Sequence, residues 1–180
     1  VWKTAAANRR IVDISTTQNQ RNFVQILVKS KINSLQLEYN TTYDIYGNGD
    51  IFVTNKFISE DINLPEIPRF GMQMQISNAF NKIEWYGRGP HESYWDRKTS
   101  AAVGIYSGKI ADFNHNYLRP QENGNKTDVR WFTLQNNDGL GLLISGLPLL
   151  SISAWPYSQQ DLENANHPYE IPDRNTITVN

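Results

Sequence analysis

Two short polar segments hold most of the side chains that could do chemistry. Residues 85–97 read WYGRGPHESYWDR, crowding a histidine, two acids, two arginines and four aromatic rings around a Gly-Pro corner. Residues 117–131 read YLRPQENGNKTDVRW, with Arg119, Gln121, Glu122 and Asn123 in a turn-forming Pro and Asn-Gly context. A pair of carboxyl groups set roughly 5 to 10 Å apart, one protonated and one ionised, can cleave a glycosidic bond. Glu92 and Glu122 are the carboxylates placed in such loops. The competing role for each is to accept charge-assisted hydrogen bonds from backbone amides or from Arg88, Arg97 or Arg119, which fixes a loop. A histidine beside a carboxylate could instead shuttle a proton in a mutarotase-like epimerase. His91 or His115 with Glu122 or Glu170 would supply it, although the spacing selects no pair. A third chemistry is sugar stacking, in which flat rings meet C–H faces and neighbouring polar groups meet hydroxyls. Tyr94 and Trp95 lie within the loop and suit that role. Trp85 and Trp131 lie in alternating runs and are expected in the core.

The surrounding sequence must position these loops. Apolar residues fall at every second position in 10–15, 23–30, 34–46 and 50–57, the period of half-buried strands. Gly-Asn-Gly at 47–49 supplies a hairpin turn, and its acidic spacing does not fit a calcium loop. Residues 62–71 carry two prolines three apart, which excludes a central strand and predicts an ordered crossing segment. Further strands are predicted over 71–77, 82–87, 128–136, 139–146 and 149–157, with a turn at 136–139. One short helix is predicted over 158–165, with Ser158 as N-cap and Asp161 in a capping-box position. About ten strands and one helix predict an all-β antiparallel sandwich in which 1–180 form one domain.

Composition narrows the partners. The chain has 180 residues, 39% hydrophobic and 12% aromatic, which suits a globular core. A formal net charge of −1 argues against nucleic acid or a membrane surface. The longest apolar run, 140–150, is too short and too broken to span a bilayer. Cysteine is absent, and the three histidines show no zinc-ligand spacing. Asn40 and Asn125 begin short matches to the glycosylation pattern. Compartment is left open by all of this.

Five motifs in order carry a resemblance: WKTA at 2–5, LPEIPRFG at 64–71, WYGRGPHESYWDR at 85–97, RPQENG at 119–124 and SISAWPYSQQDL at 151–162. Together they resemble the C-terminal domain of the β-galactosidases of glycoside hydrolase family 2, a region that also occurs as the small subunit of two-chain enzymes. The resemblance implies an antiparallel supersandwich of the galactose mutarotase type. It implies catalytic glutamates in a separate (β/α)₈ domain, supplied in cis or as a large subunit, with magnesium and often sodium there and no cofactor or metal in this chain. It implies retaining hydrolysis of terminal β-D-galactosyl groups by the whole enzyme. A family tryptophan that stacks on the galactosyl ring belongs to a Gly-Asp-rich segment with no counterpart here. None of the five tryptophans takes that role, and the domain is expected to extend past both ends of this chain. Arg119, Glu122 and Asn123 are then the candidates to face the catalytic domain. Arg88, Pro90, Glu92 and Arg97 become a braced structural corner. A free-standing carbohydrate-binding module is the alternative.

Overall fold

A computed structural model describes residues 2–59, 61 and 63–180. The chain is all-β and antiparallel, with three sheets among the described residues, and divides into two compact units, Val1–Phe70 and Gly71–Asn180. Val1 lies outside the described residues, as does Ile62, where the expected crossing segment begins. Residues 63–73 continue that segment without strand structure, as its prolines require.

The first unit is a four-stranded meander: β1 (Arg10–Gln20), β2 (Phe23–Ile32), β3 (Leu37–Tyr46) and β4 (Ile51–Ser59), in spatial order β1-β2-β3-β4. Unbroken register from Phe23↔Tyr46 to Ile32↔Leu37 and from Leu37↔Ser59 to Ile45↔Ile51 fixes which side chains share a face. One end of the apolar face is closed by a small core of Ala5, Ile32 and Leu37, against which Trp2, Phe57 and Leu64 pack. The opposite face carries the Gln25–Asp44 hydrogen bond and the Lys31–Glu38 ion pair. That division is the one the two-residue period predicts.

The second unit is a two-layer sandwich. Its larger sheet contains β6 (Lys82–Gly89), β7 (Ala102–Lys109), β8 (Lys126–Gln135) and β9 (Gly141–Ile152), in order β7-β6-β8-β9. Its smaller sheet joins β5 (Met74–Ser77), β10 (Ala154–Trp155) and β11 (Thr176–Val179), in order β10-β11-β5. Ile83, Trp85, Val129, Phe132 and Leu134 from the larger sheet meet Ile177 and Val179 from the smaller one in a common core. Trp85 is fully buried at its centre. Truncating such a ring to Ala costs about 3–5 kcal/mol. Helix α1 (Gln159–Asn164) starts on the predicted capping box: Ser158 Oγ accepts from the Asp161 amide, and the Asp161 carboxylate accepts from the Ser158 amide. Arg174 clamps the same carboxylate with two nitrogens and, with Ser158, holds it well below the usual carboxylate range.

Three elements differ from the sequence reading. Strand β7 was not predicted, because its small residues Gly104 and Gly108 face inward while Val103 and Ile105 face out, so no apolar stripe marks a buried side. Strand β11 is only four residues long and carries no turn signal of its own. Residues 141–152 form one strand through Gly146 and Pro148 rather than two. Asn125, the second glycosylation match, is buried and bonded to Ser93 and Ser151.

Candidate functional site

The two polar segments meet at one end of the sandwich. Strand β6 carries Arg88 at its edge, and the chain then turns through the cis Gly89–Pro90 bond. Beyond it, Ser93 locks the two segments together. Its amide donates to the Asn125 carbonyl at 2.8 Å, and its hydroxyl lies 2.8 Å from that of Thr127, wholly buried.

Glu92 sits at the junction. Its carboxylate accepts from the Tyr117 hydroxyl, from the Gly124 amide at 2.9 Å and from Arg97 at 3.0 Å. Burial pushes its pKa up, but the Tyr117 and Gly124 hydrogen bonds and the Arg97 charge outweigh that and hold it below the ordinary range. A glutamate kept ionised in this way is a poor general acid, which needs the opposite shift. The arrangement braces a corner.

Gly124 is gripped from both ends. While Glu92 takes its amide, Lys126 Nζ donates to its carbonyl at 3.0 Å. Its φ of +69° and the Phe113 carbonyl, 2.7 Å from where a Cβ would stand, together require glycine. Lys126 is buried, with its ammonium over the rings of Trp85 and Phe113 at 5.3 and 5.2 Å. Burial pulls its pKa down to about 8, against the opposing pull of Glu92. A cavity of about 20 Å³ beside it, lined in part by Ile110, Ile152 and Ser153, has room for one water. Nothing in the sequence singles out Lys126, since lysine in a strand ordinarily points to solvent.

Asn123 is 2% exposed, and its groups are spent internally. Its Oδ1 accepts from the His115 amide, its Nδ2 donates to Gln121 O and Tyr157 Oη, and its carbonyl accepts from Trp155 Nε1 at 2.8 Å. Asn123, expected to face a partner, is buried within this chain, where its side chain fastens the loop from inside. Arg119 is exposed and Glu122 half-buried in the same loop.

The other candidates are dispersed. Arg88 bonds Asp128 at 2.6 Å and the carbonyls of Lys98 and Ala101, tying the end of β6 to the loop. Asp128 also receives Lys98 at 3.1 Å. His91 pairs with Ser100, His115 packs on Tyr117, and Glu170 is engaged by His167. Tyr94 is half-buried beneath Arg97, whose guanidinium lies 4.6 Å from the ring centre. Trp95 is 73% exposed, with Lys98 Nζ 4.2 Å from its ring. Trp131, expected in the core, instead faces outward from β8 beside Tyr86. Among the described residues no three His, Asp or Glu side chains converge to hold a metal ion.

A family model described as the β-galactosidase small chain matches residues 1–180. A β-galactosidase of Priestia megaterium is 40% identical over 178 residues, spanning 99% of this chain and 17% of the relative. β-Galactosidases of Lactobacillus delbrueckii subsp. bulgaricus and Streptococcus thermophilus are 34% and 31% identical, spanning 97% and 99% of this chain and 17% of each relative. The chain thus spans only a small part of the length of the curated relatives it matches.

Proposed function

The chain belongs to the β-galactosidase small-chain family, and from that premise we propose that it is a non-catalytic β-sandwich part of an enzyme that hydrolyses terminal β-D-galactosyl groups, with retention, as glycoside hydrolase family 2 enzymes do. The observation that carries the reading is the family match along the whole chain, joined to relatives of which it spans 17%. In this reading both catalytic carboxylates, magnesium and any sodium reside in a (β/α)₈ domain outside these residues. A barrel of that kind takes roughly 250 residues and alternates strand with helix, unlike anything here.

The corner geometry supports a positioning role. Glu92, Lys126 and Asn123 hold the 117–125 loop in one shape, so that Arg119 and Glu122 are presented toward the sugar pocket and the catalytic domain. Arg88, Pro90 and Arg97 complete the brace from the other segment. Hydrolysis of a chromogenic β-galactoside tests this. The chain alone gives no turnover, and the enzyme assembled with it gives full turnover. Turnover by the chain alone would sink the reading.

The exposed indole of Trp95 favours one second reading, a sugar-binding module. Titration calorimetry with galactose and lactose on this chain decides it: binding that vanishes in Trp95→Ala establishes the module, and no heat rejects it.

A further inference from the structure

An antiparallel sheet with one face on a core ordinarily turns polar side chains outward. The larger sheet of the second unit does so with Lys82, Glu84, Lys109 and Gln135, but interrupts them with a run of apolar and aromatic side chains. Ile105 on β7 is 63% exposed, Tyr86 on β6 37%, and Leu143 on β9 72%. Trp131, half-buried, joins them from β8. Register places Ile105 opposite Tyr86 and Tyr86 opposite Trp131, so the three form one row across adjacent strands. Leu143 lies opposite Thr133, one row along. The Tyr86 and Trp131 rings stand 6.4 Å apart, and the Arg130 guanidinium lies 5.1 Å from the Tyr86 ring centre. Trp, Tyr and Arg are the residue types that concentrate binding energy in protein interfaces.

Trp131 faces out against the period of its own strand. Val129 and Trp131 are two residues apart, so an unbroken strand would send both to the same side. Val129 is nonetheless fully buried in the core. The reversal coincides with register irregularities between Lys126 and Trp131, and with Asp128 at φ +54°. Left-handed backbone is uncommon for a residue with a Cβ. Arg88 and Lys98 hold Asp128 in place through their ion pairs. Irregularities of this kind re-aim side chains next to working surfaces.

We propose that this face, centred on Tyr86, Arg130 and Trp131, is the surface on which the rest of the β-galactosidase polypeptide docks. The proposal rests on the functional reading above. The occupant follows from length, because the relatives carry most of their polypeptide outside the matched part. It follows also from chemistry. Ile105 and Leu143 flank the rings with exposed apolar surface of the kind that a packed polypeptide covers.

Hydroxyl-radical footprinting of the assembled enzyme tests the surface. Ile105, Tyr86 and Leu143 are expected to oxidise as slowly as buried Trp85, while Tyr169, which is exposed, oxidises fast. In parallel, Ile105→Glu and Leu143→Glu are expected to reduce galactoside hydrolysis by the assembly, and Tyr169→Glu to leave it unchanged. An active assembly in which Ile105 and Leu143 label as fast as Tyr169 overturns the docking surface and leaves the functional reading standing. Protection that appears only on adding lactose overturns the polypeptide as occupant. An assembly inactive on galactosides overturns the functional reading itself.

Discussion

Glu92 accepts hydrogen bonds from three donors, two in the 117–125 loop and one in its own segment, and Lys126 holds the carbonyl of Gly124 from the other side. Removing the charge with Glu92→Gln leaves a donor amide among donors. The loss expected at neutral pH is about 1–3 kcal/mol, read from urea midpoints. The pKa of Glu92 is lowered in the folded chain. Its contribution is therefore complete above the unfolded value of about 4.3 and lost as pH falls below it. The gap between wild type and Glu92→Gln should close in acid, and a gap constant with pH would contradict this account. Lys126 has the same sign in a different pH window, because burial disfavours its charged form. Its folded pKa of about 8 lies below the unfolded value, so the unfolded chain binds more protons between the two. From this group, stability rises as pH climbs from about 8 toward ~10.4 and is flat below. Denaturation of wild type and Lys126→Met across that range isolates the effect, because the other titrating groups are shared. A difference that does not move above pH 8 would show that Lys126 is not held in this low-pKa state.

At the scale of elements, Gly124 and Gly139 make a controlled comparison. Both have positive φ, +69° and +79°, but a Cβ at Gly139 meets nothing, whereas one at Gly124 stands 2.7 Å from a backbone carbonyl. Gly139→Ala should cost about 1–2 kcal/mol from the left-handed backbone alone. Gly124→Ala should cost clearly more, and equal losses in thermal melts would refute the collision. The contrast also marks what a sequence can reveal. The Gly-Asn-Gly hairpin, the proline-rich crossing and the Ser158–Asp161 cap are local, and each was legible from a few adjacent residues. Strand β7 was not, because its inward positions are Gly104, Tyr106 and Gly108, and the two glycines make room for the Tyr106 and Phe113 rings. Trp131 was not, because a register irregularity in β8 reverses the alternation that placed it inward. Lys126 and Asn123 were not, since their burial depends on the 117–125 loop folding over Trp85 and Trp155.

At the scale of the molecule, the charges nearly cancel and the uncovered face of the larger sheet is apolar and aromatic at its centre. Docking on such a face draws its free energy from burial of apolar area, about 25 cal/mol per Å², and not from long-range charge. Salt then acts weakly. Raising ionic strength from about 0.1 M to about 1 M shrinks the Debye length from ~10 to ~3 Å and removes most attraction between exposed charges. The urea concentration that inactivates the assembled enzyme should therefore hold or rise over that range when sodium chloride is added. Ile105→Glu should lower it at every salt concentration, because a buried unpaired carboxylate is costly whatever the screening. A steep fall of the wild-type midpoint with salt would instead place charged groups, such as Arg119 and Glu122, at the centre of the contact and move the docking surface to their loop.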